Sequence, residues 1–197
     1  MSGKFIGIIN FNNTSKEEQN KNIKTLINEL VDMDYRVLVV DHDEDYVQVV
    51  ANIKDIHHWI VHGDDFRLRN KRGNIDMRLF DLDKHFLLCS YAMQNFLEQQ
   101  DVKLSHDRNM YDGEMKLSIA DHPLFDGLSK KMNVYRKHKH YVTRTDDEDL
   151  IILNETSKEP KQIMTALYKN APNDVVLLQW DPAKSNDGRI FIHNWIH

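Results

Sequence analysis

The first half of the chain alternates between short apolar runs and longer polar stretches. Residues 5–9 (Phe-Ile-Gly-Ile-Ile), 35–40 (Tyr-Arg-Val-Leu-Val-Val), 57–61 and 86–89 are apolar runs bounded by polar turns. Runs of this length suit strands buried on both faces of a parallel sheet. Between the first two, Ile23, Leu26, Ile27 and Leu30 recur at helical spacing. Ser15, with Glu18 three residues on, has the form of a capping box for that helix. Four such strands with helical or loop crossovers predict a parallel, doubly wound core flanked by helices. After residue 89 the pattern switches at once: Met93, Phe96 and Leu97 share one helical face, so a buried strand turns directly into a helix.

Beyond Gln100 the pattern changes. Residues 115–119, 134–141, 150–154 and 163–168 are short β-like pieces joined by polar turns. Residues 175–180 form a further strong strand, and residues 189–196 predict a closing helix or turn. No internal repeat, low-complexity segment or linker divides the sequence, so residues 1–197 are expected to form a single α/β domain.

Composition narrows the function classes. Charged residues make up 29% and hydrophobic ones 41%, the balance of a globular chain rather than a disordered one. A formal charge of −5 argues against general nucleic-acid binding. The single cysteine rules out an intrachain disulfide and fits a reducing compartment. No apolar run approaches the roughly 18 residues needed to cross a bilayer, and the N-terminal residues enter a strand pattern directly. The expected location is cytoplasmic, with no membrane association.

The strand-to-helix junction carries the candidate chemistry, because α/β enzymes present nucleophiles on such sharp turns. Ser90-Tyr91-Ala92-Met93-Gln94 resembles the Cys-Tyr-Gly-Met-Gln segment of class I glutamine amidotransferases, especially the GMP synthetase glutaminase type. Further segments resemble that family in order. The run Trp59 to Asp65 is similar to its strand and glycine turn, and His122-Pro123-Leu124-Phe125-Asp126-Gly127-Leu128 to its His-Pro-Leu-Phe-x-Gly-Leu. The run Val134 to His140 falls at its Val-Trp-Met-Ser-His-Gly-Asp, and Val176 to Ala183 at its Gly-Val-Gln-Phe-His-Pro-Glu. The stretch Gly188 to Trp195 resembles its closing Gly-x-x-Leu-Leu-x-Asn-Phe. The resemblance implies a class I glutamine amidotransferase-like (flavodoxin-like) fold: a doubly wound, mostly parallel central sheet flanked by helices.

It also implies site positions. Ser90, Asp181 and Ala183 stand where the family carries its Cys-His-Glu triad; Gly63 stands at the oxyanion-hole turn, with Tyr91, Gln94 and His138 around the glutamine pocket. Glutamine hydrolysis needs a thiolate, a base that takes and returns its proton, and a carboxylate that orients the base. A serine depends more on the base than a cysteine does, Asp181 supplies only a short carboxylate, and Ala183 supplies nothing. The expectation is a pseudoenzyme acting as a binding or regulatory module. The alternative is a glutaminase or other hydrolase that uses Ser90 with a histidine base, from His138, His193 or His197. Leu88 and Ala92 replace the glycines flanking the family's nucleophile, so the turn is expected to relax. Cys89, one residue early, is expected on the opposite side from Ser90.

Two further groups are weaker candidates. His57-His58 and His138-Lys139-His140 invite a metal reading, with Asp121, His122, Asp181 or His193 as a third ligand, but no spacing selects one. No metal and no cofactor are expected. Arg67, Arg69, Lys71 and Arg72 form a compact basic loop that suits a phosphate, a nucleotide or an acidic partner, against the commoner reading of a solvated loop. The partners expected are a protein, such as a synthetase or an acceptor protein, and a small molecule in the former glutamine pocket.

Overall fold

The computed structural model describes residues 4–11, 16–42, 45–63, 73–143, 145–170 and 172–197, and side chains for these except residues 16–22. The apolar runs form the strands they predict. β1 (Phe5–Asn10), β2 (Arg36–Asp41), β3 (His58–Gly63), β4 (His85–Ser90) and β9 (Val175–Leu178) are parallel neighbours. β8 (Ile163–Tyr168) and β7 (Leu150–Glu155) extend the sheet antiparallel beyond β9. The order across the seven strands is β2-β1-β3-β4-β9-β8-β7. The reversal of strand order beside β1 is the doubly wound arrangement, in which sites lie beyond the carboxyl ends of the strands.

Helices α1 (Lys16–Asp32), α2 (Tyr46–Asn52), α3 (Tyr91–Gln99) and α4 (Asn186–Ile196) accompany the sheet. Strand alternation sends side chains to two core layers. Ile9, Val61, Phe86 and Leu88 pack with Met93, Phe96 and Leu97 of α3. Ile8, Ile60, Leu87 and Cys89 pack with Leu26 and Leu30 of α1 and Phe191 and Ile192 of α4. Ser15 lies outside the described residues. The N-terminus of α4 is capped by Ser185, whose Oγ accepts from Gly188 N at 3.0 Å.

Two elements depart from expectation. β5 (Leu104–Ser118) and β6 (Lys131–Val142) form a separate antiparallel ribbon, longer than the β-like pieces expected there. Helix α2, seven residues long, was not indicated by the apolar periodicity. No helix among the described residues is long and apolar enough to cross a membrane.

Candidate functional site

The carboxyl ends of β3 and β4 bring the first two candidate residues together. Gly63 and Ser90, the last residues of their strands, are paired partners in the ladder. Ser90 has φ 53° and ψ −111°, and its side chain makes no capping bond to α3. An L-residue held at such angles is strained by about 1–3 kcal/mol. The relaxed turn expected from Leu88 is therefore corrected. Leu88 is fully buried between its ladder partners Val61 and Leu177, ahead of the bend, so the core takes up its bulk. Ala92 is equally buried. A Cβ on Gly63 would lie 3.2 Å from the Tyr91 ring and 3.3 Å from Ala92 N. The bare backbone of Gly63 is what lets the end of β3 sit against the first turn of α3.

Cys89 faces the other core layer from Ser90's neighbours Phe86 and Leu88. Burial, and secondarily the Asp181 carboxylate, push its thiol well above the ordinary range. A thiol kept protonated and out of solvent is a poor nucleophile.

Asp181 and Ala183 follow β9 in a tight turn at residues 181–184. Asp181 Oδ1 accepts from Ala183 N at 3.0 Å, and Oδ2 lies 3.3 Å from Lys184 Nζ. The backbone N of Asp181 donates to Tyr135 O at 2.9 Å, and Lys184 Nζ sits 4.5 Å over the Tyr135 ring. Both carboxylate oxygens thus serve the turn itself. Ala183 is buried in the core layer under α4. Among the described residues, none forms a hydrogen bond with Ser90 Oγ.

Gln94 and His138 meet in a buried polar network behind the bend. Gln94 Nε2 donates to His140 O at 2.8 Å and to Gln179 Oε1 at 3.2 Å. His138 Nδ1–H donates to the same His140 carbonyl at 3.1 Å, which fixes the proton on Nδ1. His138 is buried, and its pKa falls to about 4, chiefly through burial and then through Arg136. The ring is therefore neutral near pH 7. Gln94 Oε1, Gln179 Nε2 and His138 Nε2 are all buried without a hydrogen-bond partner. Buried polar atoms left in this state are uncommon and mark places where water or a ligand completes the bonding. Gln179 escaped the sequence reading because only this long-range contact with α3 distinguishes it from a strand-end amide. Tyr91 is buried, with its OH 3.5 Å from Asn95 Nδ2.

The remaining histidines lie elsewhere. His197 Nδ1 accepts from Lys4 Nζ at 2.8 Å, and His197 Nε2 lies 3.2 Å from Tyr35 OH. Lys4 and Tyr35 immediately precede β1 and β2, so His197 sits at the amino edge of the sheet. His193 stacks beside it, with ring centroids 4.5 Å apart. His58 opens β3 at the same edge, stacked on His85 at 4.8 Å and meeting Trp195 edge-on at 5.1 Å. Ser90 closes the opposite edge, a strand length of about 20 Å away. His193 and His197 are thus removed as bases for Ser90. Among the described residues no three His, Cys, Asp or Glu side chains group as a metal site. Arg67, Arg69, Lys71 and Arg72 lie outside the described residues.

No protein-family model matches the sequence, and no curated protein sequence matches it. Solved structures do match. A crystal structure from Thermoplasma acidophilum, assigned to the GMP synthase glutaminase component, aligns with a TM-score of 0.73 at 14% identity, covering 100% of this chain and 94% of that one. A glutamine amidotransferase from Thermotoga maritima aligns with a TM-score of 0.60 at 11% identity, covering 100% and 82%. The agreement extends over the whole length, and at this identity it speaks for architecture. The chain has the α/β fold of class I glutamine amidotransferase-like domains.

Proposed function

We propose that this chain is an amidotransferase-like domain that does not hydrolyse glutamine and acts as a binding or regulatory module. The carrying observation is the use made of Asp181: its two carboxylate oxygens are engaged by Ala183 N and Lys184 Nζ, with no imidazole or carboxylate bonded to Ser90 Oγ among the described residues. A serine without a base is a weak nucleophile, and loss of such a unit costs several powers of ten in rate. The unpartnered amide atoms of Gln94 and Gln179 support a small polar ligand in the old pocket. Ammonia transfer would have no acceptor within this chain, so a synthetase-type partner is the natural recipient of any signal. Glutamine incubated with the purified protein, with glutamate measured enzymatically, should show no release above the protein-free blank. Release that is abolished by Ser90→Ala would overturn the reading.

One observation favours a second reading. Strain at φ 53° persists at Ser90 although no capping bond maintains it, and retained strain is typical of working sites. A hydrolase of altered chemistry would take His138 as base, because His193 and His197 stand at the far edge. A serine-directed phosphonylating probe separates the two readings: covalent labelling of Ser90, lost in Ser90→Ala, supports the hydrolase, and an unlabelled protein supports the module.

A further inference from the structure

The β5–β6 ribbon holds a cation without an acid. Arg136, half-buried in β6, faces Gly113 across the ladder, and a Cβ at Gly113 would meet nothing within 4 Å. The guanidinium carbon lies 4.0 Å over the Tyr111 ring, and Nη1 donates to Gln162 Oε1 at 3.1 Å. Both partners are uncharged. Burial draws the guanidinium pKa below its ordinary range, and no carboxylate among the described residues offsets it. A partly desolvated cation left this way is costly, and an anion would offset the cost.

Arg136 lines a cavity of about 320 Å³ between the ribbon and the turn that joins β7 to β8. That size is at the small end of ligand pockets. Lys158 contributes a second cation to the same wall. Thr156 Oγ1 is fixed by Gln162 N at 2.9 Å and by Lys158 O at 3.2 Å, so the turn is held in shape. Two carboxylates stand nearby, and each is engaged: Glu159 Oε2 accepts from Lys161 N at 3.1 Å, and Asp107 Oδ2 from Tyr111 OH at 2.8 Å. A guanidinium has five donors in a planar fork, and only one of Arg136's is used here. The open part of that fork matches the paired oxygens of a carboxylate or phosphate.

We infer that this pocket binds a small molecule through a carboxylate or phosphate group, with Arg136 as the anchoring residue, Tyr111 and Gln162 orienting its guanidinium, and Lys158 as a second contact. The site is separate from the Ser90 turn and stands whether or not glutamine is hydrolysed.

Arginine side-chain NMR on the full chain, titrated with inorganic phosphate and separately with succinate at constant ionic strength and pH, tests this. The Arg136 Nε–H resonance should shift saturably with at least one of them. Saturation by phosphate alone identifies a phosphate ligand, and by succinate alone a carboxylate. In calorimetry, Arg136→Met should bind the effective anion roughly tenfold or more weakly, as expected for loss of charge-assisted hydrogen bonds. If circular dichroism shows that Arg136→Met does not fold, the wild-type resonance alone decides. Shifts that never saturate with either anion, or a folded Arg136→Met that binds as tightly as wild type, would overturn the assignment.

Discussion

Ser90 occupies a backbone conformation that glycine would adopt without strain, and its hydroxyl gives nothing back to the helix it precedes. Strain of about 1–3 kcal/mol is set against a backbone-entropy cost for glycine of about 0.5–1 kcal/mol. Ser90→Gly is therefore expected to stabilise the fold by roughly 1 kcal/mol in urea denaturation, as at other strained positions of this kind. A destabilised variant would mean that the hydroxyl makes a bond of real value. The identity of Ser90 was legible in the sequence, but its geometry was not. Leu88 pointed to a relaxed bend, because a glycine replaced by leucine reads as crowding. The strand's register, which places Leu88 between Val61 and Leu177, is a tertiary fact with no local signature. The same holds for Asp181, whose capping of its own turn depends on where Ala183 N and Lys184 Nζ fall.

Among the elements, legibility followed burial. β1, β3 and β4 are buried on both faces and announced themselves as apolar runs. The amino-terminal half of β5 did not, because its residues are mostly exposed or half-exposed and a two-stranded ribbon leaves no continuous apolar face. α2 was missed because seven residues with three valines carry little helical period. The ribbon matters most for function, since it carries both His138 and the Arg136 pocket. The start of α4 depends on a close approach: a Cβ on Gly188 would lie 2.1 Å from Pro182 O. Backbone must move to admit it, so Gly188→Ala should cost about 1–3 kcal/mol, the usual range for overpacking. Denaturation midpoints compare the two proteins directly, and an unchanged midpoint would show that α4 is free to shift away from the Asp181 turn.

Across the whole molecule, two neutral histidines at opposite ends of the fold set its response to acid. His138 beside the ribbon and His58 at the amino edge both have pKa values lowered from 6.5 to about 4, by burial first, then by Arg136 and His85 respectively. The unfolded chain takes up these protons near pH 6.5, before the folded chain does. Their contribution to stability is thus full above that pH and is lost as the pH falls towards 4. Each adds a slope of up to about 1.4 kcal/mol per pH unit within that window. Urea denaturation between pH 7 and pH 4 should show stability falling with acid, less steeply in His138→Gln. Equal slopes in the two proteins would contradict the buried, neutral state of His138. The central claim, that the fold of an amidotransferase is kept here without its glutamine chemistry, is tested most directly by intact-protein mass spectrometry after exposure to an electrophilic glutamine analogue. The account predicts an unmodified mass after prolonged incubation; a stoichiometric adduct mapped to Ser90 or Cys89 would contradict it.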